Sequence, residues 1–272
     1  MSADNPSGAD THRSADFVQS LERGLMVIRA FDAEHRELGL SEVARATGLT
    51  RAAARRFLLT LVKLGYMNFS DGRFALSPRV LELGYAYLSS LSLPDVAQPH
   101  MEALVERVNE SSSISVLDGT DIVYVVRVPT RRIMSITLSV GTRLPAYATS
   151  MGRVLLAALT ADELEARLAQ IEVVALSART VADKGALRVV IDKVREQGYA
   201  ATDQELEEGL RSLAVPIHNA SGAVVAALNV SVHASRASMA AIRREYLPAA
   251  QEAALAIEAD LRGAASAGRE QG

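Results

Sequence analysis

The chain has 272 residues, 49% of them hydrophobic and 22% charged, a composition that suits one or two folded domains and excludes a disordered chain. It contains no cysteine, which removes disulfides, Cys-ligated metal centres and thiol nucleophiles from consideration. Net charge is −3, and taken whole it gives no hint of a nucleic-acid partner.

Residues 1–14 are small and polar, without periodicity, and read as a disordered tail. The stretch lacks the apolar core of a signal peptide, and no window reaches the roughly 18 apolar residues of a membrane span, so a soluble, cytoplasmic protein is expected. From Phe17 to Phe31 the positions Val18, Leu21, Leu25, Ile28 and Phe31 recur at helical spacing. Ser41 is a good N-cap for a short second helix that stops at Gly48. Thr50 then caps a third helix running to about Leu64. Short strand-like runs follow, Tyr66–Ser70 and Arg73–Leu76, joined by the hairpin dipeptide Asp71-Gly72.

Helix, glycine turn, helix and hairpin outline a winged helix-turn-helix over residues 15–77. Charge agrees. Between Arg45 and Arg79 seven basic residues stand against the single acid Asp71, a local +6 that leaves −9 for the rest. At ~100° per residue the third helix divides into two arcs. Ala53, Ala54, Phe57, Leu58, Leu61, Val62 and Leu64 form the packing arc; Arg51, Ala52, Arg55, Arg56, Leu59, Thr60 and Lys63 form the other. That second, acid-free arc suits the DNA major groove, where Arg bonds guanine or phosphate and Ala52 allows close approach. Ser41 and Thr50 belong to the same DNA-side set, and Arg73 is expected as a cation at the wing tip. A basic stripe alone would more often be a solvated surface; its coincidence with the helix pair and wing favours double-stranded DNA.

Residues 78–94 read as a linker helix, with Leu81, Tyr85 and Leu88 on one side and Pro94 ending it. Residues 95–263 form a second, α+β domain, with a tail over 264–272. Strands are expected at Ile114–Leu117, Ile122–Val128, Ile133–Val140, Leu213–Ile217 and Val224–Val232. Helices are expected at Pro99–Asn109, Met151–Leu159, Ala161–Ile171, Ala186–Gln197 and Ser235–Leu261. Turns at Asp118-Gly119 and Asn219–Gly222 argue for an antiparallel or mixed sheet. Residues 122–161 carry Arg127, Arg131, Arg132, Arg143 and Arg153 without one acid, which suits a small carboxylate near a helix start. From charge and position alone, Arg143 and Tyr147 are candidates to hold it.

The runs Phe17–Leu25 and Leu40–Thr50 resemble the N-terminal domain of IclR-type transcriptional regulators. Gly141–Leu156, Gly198–Ser212 and Ala214–Ile217 resemble that family's effector-binding domain. Asp16–Ser20, Ala52–Arg56 and Arg127–Met134 are similar to the branch that controls aromatic-acid breakdown through the β-ketoadipate pathway. Its effectors include protocatechuate, 4-hydroxybenzoate and β-ketoadipate. The resemblance implies a GAF-like domain with an effector pocket lined by Ser150, Met151, Asp203, Glu205, Ser212, Asn229 and Ser231. Small residues are common in the family where Ser150, Met151 and Asn229 stand, so this wall is bulkier and more polar.

The acids Asp203, Glu205, Glu207 and Glu208 read as a solvated loop rather than metal ligands, since no histidine accompanies them. No cofactor is expected. The function expected is a ligand-responsive, DNA-binding regulator of aromatic-acid catabolism, a homodimer or homotetramer on palindromic DNA. The alternative is an enzyme acting on a small acid in the C-terminal domain, but no nucleophile elbow, zinc helix or phosphate loop is present.

Overall fold

The computed structural model describes residues 17–83, 93–130 and 138–269, and the chain divides between residues 87 and 88 into two units. The first contains α1 (Gln19–Arg29), β1 (Glu37–Gly39), α2 (Leu40–Thr47), α3 (Arg51–Lys63), β2 (Met67–Ser70) and β3 (Arg73–Leu76). Its strands form an antiparallel sheet in the order β1-β3-β2. Gly48 closes α2 at φ 67°, and the Thr50 hydroxyl accepts the Ala53 N–H at 3.2 Å to open α3. Asp71 and Gly72, at φ 52° and 78°, make the tight turn of the wing.

Three expectations need correction in this unit. Helix α2 starts two residues early, with Gly39 as its cap, because the Glu42 carboxylate reaches back to accept the Gly39 N–H at 2.7 Å. Ser41 therefore lies inside the first turn rather than capping it. Leu64, assigned to the packing arc, is 52% exposed because it is the cap residue beyond α3. The α1 stripe also splits. Phe31 and Val27 enter the core, whereas Val18, Leu21 and Leu25 stay exposed.

The second unit contains α4 (Leu93–Val108), β4 (Ser111–Asp118), β5 (Asp121–Val128), β6 (Arg143–Pro145), α5 (Ser150–Ala157), α6 (Ala161–Gln170), α7 (Lys184–Gln197), β7 (Ala200–Asp203), β8 (Leu210–His218) and β9 (Val224–His233). It closes with α8 (Met239–Ala241), a π turn at Ile242–Tyr246 and α9 (Leu247–Arg269). One six-stranded sheet, ordered β6-β5-β4-β9-β8-β7, is antiparallel at every junction. Alternate strand residues feed two cores. Leu213, Leu228 and Val230 face Met101 of α4 and Ala250 of α9; Ile122, Ala214 and Ala227 face Leu156 of α5 and Ile191 of α7.

Several boundaries move. Of the strand expected at Ile133–Val140, only residues 138–140 are described, and they are not strand. Residues 84–92 of the expected linker helix, Tyr85 and Leu88 included, lie outside the described residues, as do Arg131 and Arg132. Pro94, expected to end a helix, lies in the first described turn of α4. The final helix runs through Arg269, so the tail expected from residue 264 is helical that far.

One glycine sets the distance between α5 and the chain before it. A Cβ built on Gly152 would overlap the backbone of Ala146. Gly152→Ala should therefore destabilise the protein by about 1–3 kcal/mol, read as a lowered urea midpoint. An unchanged midpoint would contradict that close approach.

Candidate functional site

A cavity opens in the second unit between the sheet and the start of α5. Its floor follows from strand register. Thr202 on β7 pairs with Ser212 on β8, which pairs with Ser231 on β9, which pairs with Ser111 on β4. One step along, Ala214, Asn229, Ser113 and Arg127 stand abreast on β8, β9, β4 and β5. A hydroxyl row thus lies beside a row ending in a guanidinium.

Arg127 reaches that floor because β5 carries an extra residue. Ile114 pairs with Val126 and Ser115 with Tyr124, so Val125 has no partner. The bulge sends Val125 and Val126 both into the α4–α9 core and leaves Tyr124 and Arg127 on the cavity side. Arg127 Nη1 donates to Ser113 Oγ at 3.4 Å. Burial lowers the Arg127 guanidinium from its ordinary value, yet arginine starts so high that it stays charged. Burial raises the Tyr124 phenol to about 12, so it stays a neutral O–H.

The opposite rim is the N-terminus of α5. Thr149 Oγ1 accepts the Gly152 N–H at 3.0 Å, while the amides of Ser150 and Met151, at the helix start, have no partner within the helix. Ser150 Oγ meets Ser212 Oγ at 2.8 Å, and Ser115 Oγ donates to Met151 Sδ at 3.2 Å. Leu138, Leu206 and Leu210 add an apolar wall.

Of the nine effector-site candidates, Ser150, Met151, Ser212, Asn229 and Ser231 line this cavity and the other four do not. Arg143 sits at the sheet edge, donating to Asp118 at 2.5 Å and Asp121 at 3.2 Å. Tyr147 is buried with its hydroxyl donating to the Val174 carbonyl at 2.9 Å. Asp203 is held below the usual carboxylate range by the Arg211 guanidinium at 2.6 Å. Glu205 accepts two hydrogen bonds from buried Arg153, one from Nη1 at 2.7 Å and the other from Nη2. Arginines therefore hold both acids against the fold, Glu205 in a buried pair and Asp203 in a partly exposed one. Sequence reasoning missed Tyr124, Arg127, Thr202 and the three leucines.

In the first unit α3 turns Arg51, Ala52, Arg55, Arg56, Leu59, Thr60 and Lys63 outward, with Ala54, Leu58 and Leu61 buried beneath. Among the described residues the guanidinium groups of Arg51, Arg55 and Arg56 and the Lys63 ammonium have no side-chain partner. The Thr60 hydroxyl is spent on the Arg56 carbonyl at 2.7 Å. Arg73 is not a free wing-tip cation. Its Nη2 donates to the Glu37 carbonyl at 2.7 Å and lies 3.3 Å from the Glu42 carboxylate, because antiparallel pairing sets Arg73 opposite Gly39.

The Arg153–Glu205 pair ties the loop after β7 to α5, and both side chains are nearly inaccessible to water. Glu205→Gln leaves a buried guanidinium without its counter-charge, an expected loss of about 3–5 kcal/mol in urea unfolding. Combining it with Arg153→Met should recover much of that loss. Strictly additive losses would show that the two side chains do not act as a pair.

The geometry meets its relatives at this point. Residues 20–68 match the IclR helix-turn-helix domain, and residues 85–259 match the C-terminal domain of the IclR bacterial transcriptional regulators. The Pca regulon regulatory protein of Pseudomonas putida is 48% identical over 235 residues, covering 86% of this chain and 80% of that protein. A transcriptional regulator from Rhodococcus, solved by crystallography, is 57% identical at TM-score 0.82, covering 90% of this chain and 98% of that one. An IclR homologue from Microbacterium hydrocarbonoxydans, crystallised as its 4-hydroxybenzoate complex, is 29% identical at TM-score 0.81, covering 90% and 99%. With a reading-helix unit ahead of a cavity-bearing sheet, and both matched in order, the chain belongs to the IclR family of bacterial transcriptional regulators.

Proposed function

We propose that this regulator holds a small aromatic carboxylate in the cavity and changes its grip on operator DNA in response. The observation that carries the reading is the chemistry of the lining. Arg127 is its charged group, and no carboxylate, histidine or lysine joins it among the described lining residues. Met151, Leu138, Leu206 and Leu210 offer an apolar slot for a ring, while a guanidinium and helix N-terminal amides suit a carboxylate. No side chain there is poised for general acid–base chemistry, which favours a sensor over an enzyme. The 4-hydroxybenzoate complex of the Microbacterium relative supports a ring acid as the ligand class. Genes of aromatic-acid catabolism are the targets we infer.

On the DNA side, the unpaired face of α3 supports Arg51, Ala52, Arg55 and Arg56 as groove contacts and Lys63 as a phosphate contact. Thr50 precedes that face, its hydroxyl already engaged in the α3 cap, and Ser41 is exposed in the first turn of α2. One such unit spans too few base pairs for tight binding, so a homodimer or homotetramer on a palindrome, working in the cytoplasm, completes the reading.

Calorimetry on the full chain tests the cavity. Arg127→Gln should weaken 4-hydroxybenzoate binding by about tenfold or more, whereas Arg143→Ala, whose guanidinium is committed to Asp118 and Asp121, should leave it unchanged. The reverse ranking would overturn the assignment. Gel-shift titrations against salt, on DNA from the chain's own promoter region, test the reading helix. Arg55→Ala should weaken binding and flatten the log–log salt slope by about one, the signature of a lost phosphate or groove cation. Arg73→Gln should leave the slope as it is.

A further inference from the structure

On the cavity floor a backbone amide fixes the direction of the Asn229 hydrogen bonds, and that direction decides what the floor can offer a ligand. Asn229 is 4% exposed and sits centrally on β9. The Ser113 backbone N–H points at its side chain at 2.9 Å. A backbone N–H can only donate, so the facing atom is the amide oxygen and the nitrogen lies on the other side. That nitrogen is 3.2 Å from Ser212 Oγ and 3.0 Å from Ser231 Oγ. Both amide hydrogens are thereby used, and both serine oxygens must accept.

A serine that accepts from Asn229 still has its own proton to give. Ser231 keeps its proton for the cavity, its other neighbour being Ser212 Oγ at a long 3.4 Å. Ser150 and Ser212 share one hydrogen bond at 2.8 Å, whichever donates, and so retain one proton between them beyond the long 3.4 Å contact to the Val230 carbonyl. We infer that Asn229 is a positioning residue that turns the serine floor into a set of hydrogen-bond donors and so selects a carboxylate over a neutral ligand that must itself donate. This rests on the aromatic-carboxylate reading above and assigns the origin of its charge preference. It differs from the role of Arg127, which supplies charge; Asn229 supplies direction.

Replacing the amide by a carboxylate reverses the logic with almost no change in shape. In Asn229→Asp one oxygen still accepts from Ser113, and the other can only accept, so Ser212 and Ser231 must turn their protons away from the ligand. Asn229→Ala instead frees both hydroxyls without redirecting them. Binding of 4-hydroxybenzoate and of its neutral isostere 4-hydroxybenzamide is measured by calorimetry on the full chain and both variants. The wild type should prefer the acid; Asn229→Ala should keep that order at weaker affinity; Asn229→Asp should lose acid affinity by about tenfold or more and prefer the amide. An Asn229→Asp variant that still prefers the acid overturns the inference. A second measurement needs no ligand: in nitrogen-15 spectra of the free protein both Asn229 side-chain hydrogens should exchange with water slowly. Fast exchange at either hydrogen overturns the inference by itself. Slow exchange in a wild type that binds neither compound would uphold the donor floor and overturn only the choice of an aromatic acid.

Discussion

Much of the cavity depends on one extra residue in one strand. Sheet geometry assigns side chains to faces by strict alternation, so Tyr124 and Arg127, three apart, belong on opposite sides of a regular strand. The unpaired Val125 shifts the parity of β5 at that point. Two valines then enter the α4–α9 core together, and the phenol and guanidinium share the other face. Without the bulge, the phenol and the guanidinium could not share the cavity face.

The arginines show how charge is allotted. Some are spent on the fold: Arg153 on Glu205, Arg211 on Asp203, Arg143 on Asp118 and Asp121, Arg73 on Glu37 and Glu42, and Arg79 on the Leu64 carbonyl and Glu82. Others keep their donors for something else. Arg51, Arg55 and Arg56 project from α3, and Arg127 retains most of its fork beside a weak contact to Ser113. Exposed pairs such as Arg73–Glu42 add little stability, but they withdraw a cation from the wing and leave α3 to present the charge. Electrostatics in this protein is therefore a matter of which guanidinium groups have been left unanswered.

Legibility in the sequence followed the range of the interactions. Local chemistry was readable: the Thr50 cap, the Gly48 stop, the Asp71-Gly72 turn and the two faces of α3 each depend on residues within a turn or two. Strand β1 was missed because three residues carry no period, and the Ser41 cap was misplaced because Glu42 competes for the same role from inside the helix. In the acid-free stretch 122–161 charge and position pointed to Arg143 among the five arginines, whereas the cavity is lined by Arg127. Which one faces the cavity depends on the bulge, and the acids that claim Arg143 lie just outside that stretch, at Asp118 and Asp121. The acidic loop looked solvated for the same reason: the partner of Glu205 is Arg153, 52 residues earlier. The cavity-lining residues Ser212, Asn229 and Ser231 came from family resemblance, and register explains why they meet.

A regulator that couples a small acid to DNA does so reciprocally, by thermodynamic necessity. A ligand that binds two states equally shifts nothing, however tight it is. The most direct measurement is a calorimetric titration of 4-hydroxybenzoate into the protein alone and into the protein saturated with DNA from its own promoter region. The account predicts dissociation constants that differ by about fivefold or more, with DNA affinity changed by the same factor when the acid is present. Equal constants in the two titrations would contradict it.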